Sequence, residues 1–264
     1  MNTKTKHKLK RIVLVTLNIL APIAVVLVIY LLTQVIAAFL INIYPVLKHW
    51  DSQQASQWIN NSVAAQFWVT LVIEGLTLLF LSFFLKKRHS NFKSIGLKGR
   101  LKLTDLGYAL AGFAAYFTIF YILLTAFTHA IPNFNTSQKQ DIGFSSSTSG
   151  SELWLVFISL VILPPIVEEI LFRGYLYTNL RGRIPKGSKI PKIIAAVITS
   201  LVFASFHLLE SSSGLLWIAG LDTFVLSLVL VYLREKTGKL YASMGLHMIK
   251  NLIAFSSLFL FHLS

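Results

Sequence analysis

The feature that most constrains this chain is the alternation of long apolar runs with short basic ones. Apolar runs cover approximately 11–41, 62–85, 104–130, 152–181, 190–210, 214–233 and 239–262. A helix needs about 20 such residues to cross the hydrocarbon of a bilayer, and each run supplies that length. The basic residues gather in four clusters between the runs. Lys4, Lys6, Lys8, Lys10 and Arg11 precede the first run, and Lys86, Lys87, Arg88, Lys93, Lys98, Arg100 and Lys102 separate the second from the third. Arg181, Arg183, Lys186, Lys189 and Lys192 form the third cluster, and Arg234, Lys236 and Lys239 the fourth. Of 24 basic residues, only Lys48, Lys139, Arg173 and Lys250 lie elsewhere. Basic connections on alternate loops are the positive-inside pattern. A net charge of +14 distributed in this way describes membrane topology and argues against nucleic acid as a partner. The pattern predicts seven spans, an amino terminus in the cytoplasm, loops near 42–61 and 131–151 outside, and a carboxyl terminus outside.

Composition agrees with that reading. With 55% apolar and 13% charged residues, the chain lacks the polar surface of a water-soluble domain. Backbone groups cannot stay unpaired in lipid, and no segment has the alternation of a barrel strand. The expected fold is therefore all-α: a polytopic transmembrane helical bundle forming a single integral membrane domain over 1–264. The first run follows a Lys-rich start but is about twice as long as a signal peptide's apolar region and continues past Pro22, so it is read as a retained, tilted anchor. Pro132, Asn133, Asn135 and the stretch Ser145, Ser146, Ser147, Thr148, Ser149, Gly150 suggest a flexible connection. The absence of Cys excludes disulfides, thiolate nucleophiles and Cys-ligated metal sites.

An ionisable group inside a span costs on the order of 3 kcal/mol, so each such group is a functional candidate unless a structural partner explains it. The candidates are Glu74 in the second span, Glu168, Glu169 and Arg173 in the fourth, His207 in the fifth, Asp222 in the sixth, and His247 with Asn251 in the seventh. Glu169 and Arg173 are an i, i+4 pair with the acid first, the favourable order, and are expected to neutralise each other. Glu168 then has no partner on its own helix. It must be protonated, accept hydrogen bonds from another helix, or bind a metal or water. Asp222 is expected to satisfy a neighbouring helix, and Glu74 stands as an extra ligand or base.

Taken in chain order, Glu168-Glu169-x-x-x-Arg173, Phe203-x-x-x-His207 and His247-x-x-x-Asn251 resemble the three motifs of the CAAX protease and bacteriocin-processing family, also called the Abi family. The similarity covers roughly 150–255, the motif-bearing catalytic core, and includes the lead-in from Lys236 to Ser243. The first three spans contribute nothing specific to it. The resemblance implies an intramembrane endopeptidase acting on a membrane-associated or hydrophobic peptide, with bacteriocin processing or self-immunity as its setting and a bacterial cell membrane as its location. It implies Glu168 and His207 as activators of water, His247 and Asn251 as donors to the oxyanion, and Glu169 with Arg173 as support. Both a metalloprotease and a metal-independent glutamate protease fit. If a metal is used, Glu168, His207 and His247 would hold it, and zinc suits that donor set, although no His-Glu-x-x-His occurs.

Two other readings stand beside this one. A membrane immunity protein could act by binding alone, with the polar set serving helix packing. A transporter could use the same groups as a proton path, but no second copy of the Glu-Glu span occurs in the first half. One geometric tension also arises. Counting about 1.5 Å of rise per residue from the basic end of each helix puts the four head groups at depths spread over roughly 12 to 22 Å.

Overall fold

The structure is a computed structural model. It describes residues 3–131, 134, 138, 142–144, 148, 150–183, 190–208 and 214–262, with backbone alone for 3–15 and 190. Pro132, Asn133, Asn135, Ser145, Ser146, Ser147 and Ser149 of the expected flexible connection lie outside the described residues, as do Lys186 and Lys189.

Among the described residues the fold is entirely helical, with seven helices long and apolar enough to cross a membrane. α1 runs over Thr3–Leu47 and passes through Pro22 without interruption. α3 (Val63–Lys87) and α4 (Leu103–Ala130) follow a short α2 (Ser52–Asn61). α5 spans Glu152–Arg183. α6 is Ile190–Leu208, α7 is Trp217–Thr237, and α8 is Tyr241–Phe255 with a wider π turn at Ser256–Leu260. This is the expected bundle of seven spans, and the chain is a multi-pass membrane protein.

The loop expected at 42–61 contains α2. Its start is fixed by a capping box, in which the Gln54 amide donates to the Asp51 carboxylate at 2.8 Å and the Asp51 amide to the Gln54 side chain at 3.1 Å. Tyr44, Trp50 and Trp58 cluster beside it with ring centroids 4.9–5.8 Å apart. Aromatic rings of this kind suit a membrane–water boundary, where they can present an apolar body and a polar tip.

α5 and α7 are the central helices, each half buried along its apolar window, whereas α4 is 11% buried. α4 approaches α8 through small residues. A Cβ at Gly112 would meet Leu246 at 2.7 Å and Leu233 at 2.9 Å, and one at Gly245 would meet Ala109 at 3.1 Å. Close backbone approach supplies van der Waals contact where lipid removes the hydrophobic drive.

The basic connections meet at one end of the bundle. Glu235 on α7 pairs with Arg181 of α5 at 2.6 Å and Lys192 of α6 at 3.0 Å. Arg234 and Lys239 donate to the carbonyls of Ile95 and Arg100, in the segment between α3 and α4. Arg183 donates to the carbonyl of Asn18 in α1. The second, third and fourth charge clusters therefore share a side, as an alternating topology requires.

Candidate active site

The site begins with two prolines. In α5 the carbonyl of Leu160 would normally receive an amide from residue 164 in an α-helix, or from residue 165 in a π-helix. Both are proline and have no N–H to give. The segment Ile158–Ile162 opens into a π turn at this point. The orphaned Leu160 carbonyl accepts from Asn251 Nδ2 of α8 at 2.8 Å, so the amide of the third motif is held by the backbone defect just ahead of the first. A second π stretch, Glu169–Leu176, follows Glu168. Such turns often mark functional sites.

Glu169 and Arg173 are both completely buried and lie 2.9 Å apart. The predicted internal ion pair forms. Its carboxylate does more than neutralise the arginine, because Glu169 Oε1 also stands 3.2 Å from His247 Nδ1. A carboxylate only accepts, so Nδ1 carries the proton and His247 is oriented by the pair. The other ring nitrogen, Nε2, is 3.7 Å from Glu168 Oε2. An unprotonated nitrogen and a carboxylate would confront each other there as two acceptors, so a single proton shared between them gives the site balance. Two carboxylates, one guanidinium and that proton sum to zero charge in a place where net charge is costly.

Phe203 of α6 joins the first two motifs. Its ring lies 4.3 Å beneath the Arg173 guanidinium, 4.8 Å from His207 and 6.0 Å from His247. Packing a guanidinium on an aromatic face helps to offset its desolvation. His207 directs Nδ1 to the Phe203 carbonyl at 3.2 Å. A carbonyl accepts only, so Nδ1 donates, which leaves Nε2 of the neutral ring as an acceptor.

Glu168, His207 and Asn251 all line one cavity of about 360 Å³. His247 is buried behind Glu168 and does not line that cavity. Three of the four head groups thus line one cavity, and the fourth, His247, stands 3.7 Å from Glu168. The eight π residues at 169–176 lie between Glu168 and the basic end of α5, so a straight α rise overstates the depth of Glu168.

Of the opposite wall only Glu74 was foreseen. Tyr30 and Gln34 of α1, and Thr70, Glu74 and Thr77 of α3, face the same cavity. Their spacings, i, i+4 on one helix and i, i+4, i+7 on the other, each describe one helical face and were available in the sequence. Asp222 belongs elsewhere. It accepts from Tyr116 of α4 and pairs with Lys250 at 3.2 Å, satisfying neighbouring helices as expected.

Among the described residues, no three His, Cys, Asp or Glu side chains gather closely enough to hold an ion. His247 is oriented by Glu169 and, at 3.7 Å, points its remaining nitrogen at Glu168. In this arrangement Glu168, His207 and His247 do not make a zinc ligand set.

Fold and site together define a polytopic helical membrane protein with a buried carboxylate–imidazole centre opening onto a cavity. Residues 150–253 match the family described as type II CAAX prenyl endopeptidase Rce1-like, and the resemblance read from the motifs is borne out over that stretch. Over 104 residues the chain is 30% identical to the uncharacterized protein YyaK of Bacillus subtilis strain 168, a stretch amounting to 38% of this chain. The match spans about a third, 33%, of that relative's length. No solved structure matches.

Proposed function

We propose that this chain is an intramembrane endopeptidase of the cell membrane, its amino terminus cytoplasmic, hydrolysing a peptide bond in a membrane-associated or hydrophobic peptide. The observation that carries the reading is the shared position of Glu168 and His207 on one cavity, with His247 3.7 Å behind Glu168. Water held between the Glu168 carboxylate and the acceptor nitrogen of His207 attacks the scissile carbonyl carbon, and its proton passes to Glu168. His247 keeps the resting proton on Nε2, and Glu168 hands the proton taken from water to the amine nitrogen as the C–N bond breaks. Asn251 has a second amide hydrogen beyond the one given to Leu160, and it donates this to the developing oxyanion. His247, foreseen as a second oxyanion donor, acts in this scheme through its charge. Glu169 and Arg173 fix the His247 tautomer. No step needs a metal ion, which makes this a glutamate-type mechanism. Bacteriocin processing or self-immunity is the proposed setting.

The test uses purified protein in vesicles with peptides analysed by mass. Glu168→Gln is expected to slow cleavage on the order of 10³-fold and His207→Ala on the order of 10²-fold. Dialysis against a chelator should leave the rate unchanged. Undiminished cleavage by E168Q would remove Glu168 from the chemistry.

A further inference from the structure

Four acids lie away from the ends of the spans, Glu74, Glu168, Glu169 and Asp222, and among the described residues three of them have a partner. Glu168 faces His247, Glu169 holds Arg173, and Asp222 is bound by Tyr116 and Lys250. Glu74 differs. Among the described residues, neither a hydrogen bond nor an ion pair reaches it. It sits near the middle of the 25-residue α3, too deep for a short side chain to reach interfacial water. Nor does it join a metal cluster, since no three such donors gather among the described residues. It lines the cavity that Glu168, His207 and Asn251 also line. Around it the wall is polar: Thr70 and Thr77 flank it on α3, and Tyr30 and Gln34 face the same space from α1.

A purely apolar substrate would be poorly served by that wall, because it would desolvate a carboxylate and give nothing in return. A cationic group would both satisfy Glu74 and be satisfied by it, and a charge pair formed inside the bundle, away from bulk water, discriminates against uncharged analogues. We propose that Glu74 is a specificity residue that receives a basic side chain of the peptide substrate, so the substrates of this site are apolar peptides carrying a lysine or arginine near the scissile bond. The inference deepens the proteolytic reading and rests on it for the word substrate.

The experiment uses full-length protein in phosphatidylcholine vesicles and quenched fluorogenic peptides. One position in an otherwise varied apolar frame is Lys, norleucine, Gln or Glu. Wild-type protein is expected to cleave the Lys set roughly tenfold more efficiently than the norleucine set, with the difference in KM. Glu74→Gln should abolish that difference, and Glu74→Lys should turn it towards the Glu set. The sets are compared within each variant, so a general loss of activity cancels. Equal handling of Lys and norleucine by the wild type, or a preference that survives in E74Q, overturns the assignment.

A binding arm separates the two readings. Labelled Lys and norleucine peptides are titrated onto E168Q and onto E168Q/E74Q. Tighter binding of Lys peptides to E168Q, lost in the double variant, upholds Glu74 even if the wild type hydrolyses nothing, and then only the protease reading falls. Hydrolysis without any discrimination, in binding or in rate, leaves the protease reading and removes Glu74.

Discussion

The two walls of the cavity are built on opposite principles. On the α5–α6–α8 wall each charge is answered within the protein: Glu169 by Arg173 and His247, and Glu168 by His247, while Phe203 covers the guanidinium. On the α1–α3 wall, Glu74 is left unanswered among the described residues. Internal pairing holds a group in one orientation, as acid–base chemistry requires. A group without an internal partner holds nothing in place and can pair with what enters. The contrast teaches that the charges of the first wall are paired before substrate arrives, while that of the second is left for what enters.

The strongest way to break this comparison is to unbalance the finished wall. Arg173→Ala leaves the Glu169 carboxylate buried with His247 as its remaining partner, and should destabilise the protein by about 3–5 kcal/mol, measured by unfolding in detergent. Replacing both members together, Glu169→Leu with Arg173→Met, should recover most of that stability but not the cleavage, because His247 loses its orientation. If the double variant cleaves peptide at the wild-type rate, the pair has no role in holding His247.

A smaller effect is expected at the proline defect. Asn251→Ala strands the Leu160 carbonyl and should cost about 1–3 kcal/mol. Pro164→Ala restores an amide at the position that an α-helix would use for that carbonyl. The cost of N251A should therefore shrink in the P164A background, as a double-mutant cycle on thermal unfolding would detect. Strict additivity would show that the two sites are not linked through the carbonyl.

The smallest change is on the open wall and has the opposite sign. Glu74→Leu removes an uncompensated carboxylate from an apolar helix, and should stabilise the protein by about 1 kcal/mol, seen as a higher melting temperature. A loss of stability in E74L would mean that the carboxylate has a structural partner after all.

These walls were unequally legible in the sequence. Seven spans could be read because crossing a bilayer demands a long sum of apolar residues, a signal that errors at single positions barely disturb. The Glu169–Arg173 pair was visible because it lies within one helix, where spacing fixes geometry. α2 was missed because it is short and polar, although Asp51 and Gln54 spell its capping box. Tyr30, Gln34, Thr70 and Thr77 were missed because a Thr or Gln in a span attracts little notice unless its whole face is drawn, and no motif directs attention to α1 or α3. The π stretches were not legible at all. Straight α rise was assumed for Glu168, although eight residues of π helix lie between it and the basic end of α5.

The two adjacent prolines also act at a distance. By withholding two successive amides they create a fixed socket at the Leu160 carbonyl of α5, and the plug that fits it, Asn251, lies 91 positions after Leu160. Sliding α8 by one residue would pull the plug out and carry His247 away from Glu169 in the same movement. The socket thus works as a register mark, setting how far the last span travels before imidazole and carboxylate can face each other.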